Sequence, residues 1–231
     1  MRKLRFISVL MIFFIIFIMP VKAIMNENEQ KIILIDPGHG GFDGGAQSKV
    51  GTIEKDINLE ISKKLKVDLE NKGYKVVMTR EGDDGLYNKG TTIKEKKRED
   101  LKKRCDMKKE TNCDIFVSIH QNMFAQSKCY GAQTWYASND ESAILAKNIQ
   151  NSLKEKVDDN NKRVAKSAGE AYLILRDKYE GASVLVECGF LSNPEEEARL
   201  KTEDHQKKIV DGLSLGIDRY FEELNNISEK Q

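Results

Sequence analysis

The sequence predicts an α/β fold: one domain built on a single, mostly parallel, twisted sheet of about six strands with helices on both faces. The first observation is that short apolar segments of strand length alternate with longer segments of helical periodicity over about 190 residues. The second is that crossovers between parallel strands place helices on both sides of a sheet. The third is that the chain has 231 residues, enough for one domain with a full core, and no change of composition marks a second.

The N-terminal residues have the composition of an export signal. Three basic residues within the first five precede an uncharged apolar run over 6–19, and a small-residue site follows at 21–23. Residues 1–23 are therefore expected to form a signal peptide or a short membrane anchor. Cleavage is favoured, because the run is shorter than the roughly 20 residues that span a bilayer. Residues 24–30 are a polar lead-in, and we expect an exported protein whose membrane contact is confined to the N-terminal segment.

The charge of the chain argues against nucleic acid as a partner. The full chain carries 38 basic and 37 acidic residues, and loss of residues 1–23 would leave 34 against 37, a net charge of −3. The basic segment 94–109 is interleaved with acidic residues, and Leu101 and Cys105 at helical spacing indicate a solvated helix with one buried edge. Neither feature favours nucleic-acid binding.

The apolar pattern predicts the elements in order. Residues 31–35 are apolar on both faces, which is typical of a buried parallel strand. A helix is expected from Glu54, because apolar residues recur every four positions up to Leu69, and Gly73 is placed to end it. Further strands are expected at 74–80, 114–120, 131–137, 171–175 and 182–187. Later helices are expected after a capping box of Ser138 and Glu141, after Asn193 with Pro194 at the first helical position, and from Ile209 to Phe221.

The four cysteines, Cys105, Cys113, Cys129 and Cys188, receive no role. An even number in an exported chain permits disulfides, but their spacing matches neither a zinc ribbon nor a small stapled scaffold. They are expected to be incidental.

Three predicted strands lead into residues of functional type. His39, His120 and Glu187 stand at the carboxyl ends of these strands, where sites form in open parallel sheets. His39 lies in a turn whose glycines let other groups approach its imidazole. Taken alone, a histidine in such a turn is as often structural as functional. A general base would suit the position of Glu187, although a carboxylate neutralised by a structural arginine would give the same pattern.

Glu54 is placed on the apolar face of its predicted helix, three residues before Ile57 and seven before Ile61. An ionised carboxylate is costly to bury unless it is paired or binds a metal, and the first turn of a helix favours an anion. The alternative is a carboxylate that caps the helix or stays solvated. Two histidines and one carboxylate are a known ligand set for catalytic zinc, although separations of 15 and 66 residues define no local zinc motif.

Four segments carry a resemblance to a known family. They are Asp36-Pro-Gly-His-Gly-Gly41, Glu54-Lys-Asp-Ile-Asn-Leu59, Ser118-Ile-His-Gln-Asn122 and Val186-Glu-Cys-Gly-Phe-Leu-Ser-Asn193. In this order they resemble the zinc-dependent N-acetylmuramoyl-L-alanine amidases. Within that family the chain is most similar to the germination-specific amidases of spore-forming bacteria, in size and in its short N-terminal signal.

The resemblance implies a site, a reaction and a cellular place. His39, Glu54 and His120 would bind one Zn²⁺, and Glu187 would be the catalytic glutamate. Residues 31–225 would form the catalytic domain and 226–231 a polar tail. The enzyme would cut the amide bond between N-acetylmuramic acid and the L-alanine of the stem peptide in peptidoglycan, in the cell wall or in the spore cortex space. Further partners would be a peptidoglycan deacetylase, which completes muramic-δ-lactam, and an accessory protein.

Some residues depart from the family pattern or extend it. Cys188 stands beside the catalytic glutamate, where strand alternation points it to the opposite face, and Gln121 follows His120. His205 is expected at the surface. Three arginines, Arg80, Arg98 and Arg104, would pair with stem-peptide carboxylates or stay solvated.

Two other functions compete with this hypothesis. One is a different zinc hydrolase of the same polymer, a carboxypeptidase or a deacetylase, since the same fold and ligands could serve either reaction. The other is a non-catalytic wall-binding protein with a vestigial site.

Overall fold

The structure, a computed structural model, describes residues 30–230. The segment 1–23, predicted to be a signal peptide or anchor, and nearly all of the lead-in 24–30 lie outside the described residues. Within the described part of the chain, no helix combines the length and the apolar composition needed to cross a membrane.

Six strands form one sheet, as predicted. They are β1 (Ile32–Pro37), β2 (Lys75–Met78), β3 (Ile115–Asn122), β4 (Gln133–Tyr136), β5 (Lys166–Ser167) and β6 (Ala182–Phe190). Their order across the sheet is β2-β1-β3-β6-β4-β5. The first four in this order run parallel, β4 runs antiparallel to β6, and β5 runs parallel to β4. The prediction of a mostly parallel α/β sheet is therefore confirmed.

Helices cover both faces of this sheet. The α-helices are α1 (Glu54–Asn71), α2 (Ile93–Thr111), α3 (Asp140–Lys156), α4 (Pro194–Leu200) and α5 (Glu203–Ser228). The larger core packs α1, α3 and α5 against one face, with Ile35 and Val117 among the buried strand residues. The smaller core packs Cys105 of α2 against the other face, which carries Leu34 and Phe116. This alternation of neighbouring strand residues between the two cores is what buries most residues of the central strands.

Two local predictions are wrong. The segment 171–175 is not a strand: it contains a short 3₁₀ turn, Leu173–Leu175, and β5 takes the edge position instead. The side chains of Ile174 and Leu175 are both buried on the α2 side, which a strand with alternating faces would not allow. Asn139, and not Ser138, caps α3, because its side chain accepts a hydrogen bond from the backbone N–H of Ser142. The last helix continues to Ser228, into the segment expected as a polar tail.

The sheet order brings the ends of β1, β3 and β6 together. Pro37 lies opposite Ile119, and His120 lies opposite Glu187. Because these three strands are adjacent and parallel, the residues that follow or end them meet at one edge of the sheet.

Candidate metal centre

His39, Glu54 and His120, the three predicted metal ligands, lie together at this edge. The carboxylate Oε1 of Glu54 is 2.9 Å from Nδ1 of His120, and its Oε2 is 3.3 Å from Nε2 of His39. The two imidazole rings have centroids 4.9 Å apart and are nearly perpendicular, at 77°. One donor atom from each residue lies within 4.8 Å of the others. Imidazole nitrogens and a carboxylate oxygen are donors that zinc takes in catalytic sites, so the donor set fits one zinc ion.

Backbone conformation presents His39 to this cluster. Its φ is +63°, in the left-handed region that non-glycine residues seldom adopt. Gly45 also has a positive φ, and a Cβ on it would lie 2.5 Å from Oε2 of Glu54 and 2.7 Å from Cδ2 of His39. A Cβ on Gly38 would lie 2.3 Å from Nε2 of His120. Glycine at these two positions is therefore what lets the three side chains approach one another.

Two buried arginines hold the turn that carries His39. The Arg104 guanidinium donates to the carbonyl of His39 at 2.7 Å, and that of Arg80 donates to the carbonyl of Gly38 at 3.0 Å. Arg104 is also ion-paired with Asp36 at the end of β1 and with Asp100. Burial alone would raise the pKa of Asp36, but Arg104 and hydrogen bonds from Ser118 and Thr79 keep it below its usual value.

The expectation for these arginines is corrected accordingly. Arg80 and Arg104 are 4% and 2% exposed, so they are neither solvated nor available to a stem peptide. Their donors are used on backbone carbonyls and on Asp36 and Asp100, which gives them a structural role. Arg98 is exposed, in agreement with the expectation that it stays solvated.

Glu54 lies buried in the first turn of α1, on the apolar face that the sequence predicts. It accepts hydrogen bonds from the backbone N–H of Ala46 at 2.8 Å and of Gln121 at 3.1 Å, and from the Asn58 side chain at 3.3 Å. Burial would raise the pKa of this carboxyl, but contacts with His120 and His39 hold it far below its usual value. Glu54 therefore stays ionised, as a metal ligand must.

Two polar residues around the cluster were missed by sequence reasoning. Asp43 lies 3.1 Å from Nδ1 of His39, which leaves Nε2 facing the cluster. Burial would lower the pKa of His39, but Asp43 and Glu54 raise it to about 9. Asn58 links Glu54 to the buried Gln121, whose side-chain amide it accepts at 3.1 Å. Asn58 stands four residues after Glu54 on the same helix face, a spacing from which it could have been found.

Glu187 faces the cluster from β6 without a partner of its own. It is 8% exposed, and its Oε2 finds no hydrogen-bond partner within residues 30–230. Burial raises the pKa of Glu187 to about 7, with the charge of His120 acting against the shift and that of Glu54 adding to it. The next residue, Cys188, is buried in the core on the α1 side of the sheet, as strand alternation predicts.

His205 lies outside the cluster, at the start of α5, and is half-buried rather than a surface residue. Burial lowers its pKa to about 4, with Arg199 and Lys208 acting in the same direction.

A cleft of about 180 Å³ opens beside the cluster and is lined by His39, His120, Phe42 and Ile174 among others. A larger cavity, of about 700 Å³, lies at the amino ends of the parallel strands, where Lys31 and Asp114 precede β1 and β3. It contains none of the predicted site residues. The chemistry is therefore placed at the smaller cleft, where imidazole and carboxylate groups converge.

A family model, related proteins and solved structures each match this chain. The model of the N-acetylmuramoyl-L-alanine amidase family (Amidase_3) matches residues 33–219. The germination-specific N-acetylmuramoyl-L-alanine amidase of Bacillus subtilis is 36% identical over 99% of this chain and 99% of its own length. The CwlD amidase of Clostridioides difficile, solved in complex with the GerS lipoprotein, superposes with a TM-score of 0.81 at 43% identity, over 84% of this chain and 99% of its own. An N-acetylmuramoyl-L-alanine amidase of Clostridium difficile 630 superposes with a TM-score of 0.73 at 31% identity, over 84% of this chain and 97% of its own.

Proposed function

Because the chain belongs to the N-acetylmuramoyl-L-alanine amidase family, we propose that it cuts the amide bond between N-acetylmuramic acid and the L-alanine of the stem peptide in peptidoglycan. The observation that carries the proposal is the convergence of His39, Glu54 and His120 at one sheet edge, with the unpartnered carboxyl of Glu187 opposite His120. Likeness to germination-specific and CwlD amidases supports the spore cortex as the place of action.

In this proposal His39, Glu54 and His120 hold one zinc ion, which when bound polarises the carbonyl under attack and acidifies the attacking water. Asp43 fixes the tautomer of His39, and Arg80 and Arg104 fix the turn that carries it. These contacts orient the imidazole before any substrate arrives.

Glu187 handles the proton in this mechanism. Its carboxylate takes a proton from the attacking water and delivers it to the nitrogen of the leaving L-alanine. The first step needs the ionised form and the second the neutral form. The Oε2 atom of Glu187 has no competing hydrogen-bond donor within residues 30–230, which leaves one acceptor free for this proton.

Cellular context extends the proposal. Residues 31–225 are the catalytic domain, and residues 1–23 direct export to the wall or cortex space. The solved CwlD amidase is bound to a lipoprotein, which supports an accessory lipoprotein for this chain as well. A peptidoglycan deacetylase would act on the muramic acid that the amidase leaves behind.

Analysis of the products tests the proposed reaction. Full-length protein supplied with zinc is incubated with cortex peptidoglycan, and the soluble products are identified by mass spectrometry. We expect free peptides that begin with L-alanine. Released acetate would instead support a deacetylase, a released terminal amino acid would support a carboxypeptidase, and no product from zinc-loaded protein would support a wall-binding protein.

The third histidine of the chain provides a matched control. His120→Ala should abolish peptide release and bound zinc, whereas His205→Ala should keep both, since His205 lies outside the cluster. Equal losses in the two variants would contradict the assignment of the metal centre.

A further inference from the structure

A basic groove lies at the edge of the sheet beyond β4. It has a volume of about 530 Å³, and its lining includes four cationic side chains: Lys128, Lys162, Arg163 and Lys166. No acidic residue lines it. Although the described part of the chain contains many ion pairs, none of these four cations takes part in one. The groove therefore carries four cationic side chains, none of which is held in a direct ion pair within the described part of the chain.

The groove adjoins the proposed catalytic carboxyl. Gln133, which lines it, lies directly opposite Glu187 in the antiparallel pair of β4 and β6. Lys166 is two strands away from Glu187, through the pairing of β5 with β4. Strands are about 4.8 Å apart and rise about 3.3 Å per residue, so the backbone of Lys166 is about 10–12 Å from that of Glu187.

Arg163 is held in place inside the groove. Its Nε donates to the carbonyl of Tyr130 at 2.8 Å, and its guanidinium lies 4.6 Å from the centre of the Phe190 ring. Its two terminal nitrogens donate no hydrogen bond to any residue in 30–230. Gln133 donates to the carbonyl of Val164 and so ties the same loop to β4. A guanidinium fixed at one nitrogen and free at the other two is suited to a carboxylate.

We propose that this groove, Lys128, Lys162, Arg163 and Lys166, binds the free carboxylates of the stem peptide whose amide bond is cut at Glu187. The inference rests on the proposed function and adds a recognition site for the leaving peptide. An extended peptide advances about 3.3–3.6 Å per residue, so acidic side groups on its second and third residues reach about 10 Å from the cut bond. Cations without a direct ion pair at this distance attract such groups and orient the peptide.

The test compares two substrates and two lysine variants. One substrate is an N-acetylmuramoyl tripeptide with free carboxylates, and the other is its amidated analogue. The groove variant is Lys128→Gln, Lys162→Gln and Lys166→Gln. The control variant is Lys102→Gln, Lys103→Gln and Lys207→Gln, which removes the same charge from lysines that are ion-paired on α2 and α5. Equal melting temperatures of the variants show that both are folded.

For the acidic substrate, the groove variant should raise KM about five- to thirty-fold and leave kcat within about twofold, since each exposed ion pair contributes little by itself. For the amidated substrate, the groove variant and the wild type should have equal KM. The control variant should match the wild type on both substrates. A KM that does not change, or that rises equally for both substrates, would overturn the inference.

Binding of the free tripeptide decides the same question without turnover. In calorimetric titrations, the groove variant should bind the acidic tripeptide more weakly than the wild type does, by a factor similar to the rise in KM. This difference in affinity should shrink in high salt. Unchanged binding would refute the groove as a peptide site. If the wild type binds the tripeptide but releases no L-alanine peptide from peptidoglycan, the proposed reaction fails while the peptide site stands.

Discussion

Glu54 and Glu187 are two buried carboxyl groups at the same edge of the sheet, yet their surroundings are opposite. Glu54 is 3% exposed and Glu187 is 8% exposed. Glu54 accepts hydrogen bonds from two backbone N–H groups and from Asn58, and both imidazoles lie against it. Glu187 has an Oε2 without any partner in residues 30–230.

The difference shows how one residue type can serve two purposes in one site. Burial alone raises the pKa of both groups, and only the donors around Glu54 reverse this effect. A carboxylate surrounded by donors stays ionised and suits a cation. A carboxyl left without donors exchanges its proton near neutral pH and suits acid–base chemistry.

The largest expected effect comes from removing the ionisable group of Glu187. Glu187→Gln should lower kcat by about 10²–10⁴-fold, the range typical of a general base, while the protein keeps one zinc per chain. Peptide release measured by mass spectrometry and zinc content measured by elemental analysis check the two parts.

Glu54→Gln is the matched control, because it makes the same chemical change in the other carboxyl group. It should lose zinc together with activity, since a neutral amide is a poor substitute for a ligating carboxylate. Loss of zinc from Glu187→Gln as well would remove the distinction between the two residues.

A smaller effect is expected in the stability of the metal-free protein. The pKa of Glu187 rises from its usual 4.5 to about 7 on folding, so ionisation above pH 7 disfavours the folded state, and this penalty fades as pH falls towards 4.5. The stability advantage of Glu187→Gln over the wild type, measured as the free energy of unfolding, should therefore grow by about 2–3 kcal/mol from pH 5 to pH 8. Urea denaturation with a chelator present, at both values of pH, measures the change.

Glu54→Gln should behave differently in the same experiment. The pKa of Glu54 is lowered, so its contribution to stability is present above its usual value of 4.5 and lost only as pH falls further. The substitution should thus destabilise the protein at pH 5 and pH 8 alike. If Glu54→Gln raised the free energy of unfolding at pH 8, or if Glu187→Gln did not, the proposed difference between the two carboxyl groups would be wrong.

Periodicity and strand ends were enough to predict most of the fold, whereas the four candidate residues were ambiguous on pattern alone and were singled out by the family resemblance of their segments. The alternation of apolar strands with amphipathic helices predicted the parallel sheet, and the helix face predicted that Glu54 would be buried. The segment 171–175 could not be distinguished from a strand, because its conformation depends on contacts with α2, such as the hydrogen bond from Lys108 to the carbonyl of Ile174. The edge strand β5 has only two residues, too short for any pattern.

The environment of each candidate depended on contacts distant in sequence. Asp43 beside His39 and the guanidinium groups beneath the turn have no signature in their own segments. Arg104 is separated from Asp36 by 68 residues, and only the folded chain shows that its charge is used internally. The roles assigned to His39, Glu54, His120 and Glu187 stay predictions until the variants above are measured.

The smallest expected effect concerns His39, the proposed metal ligand that lies beside Glu54. In the metal-free protein the pKa of His39 is raised to about 9, since Asp43 and Glu54 outweigh the opposing effect of burial. At pH 7.5 this imidazole therefore carries a proton, which zinc must displace because a metal ligand is neutral. Binding should release about one proton per ion near pH 7.5 and close to none above pH 10. Calorimetric titration of zinc in two buffers of different ionisation enthalpy gives this count.

Asp43→Asn tests the origin of that proton. Without the Asp43 carboxylate the pKa of His39 should fall towards its usual value, so fewer protons should be released at pH 7.5. Lys97→Gln is the control, since Lys97 pairs with Asp43 and its removal leaves the carboxylate beside His39 in place. A proton count near zero in the wild type would show that His39 is neutral in the metal-free protein. A count that Asp43→Asn leaves unchanged would show that Asp43 is not what raises the pKa of His39.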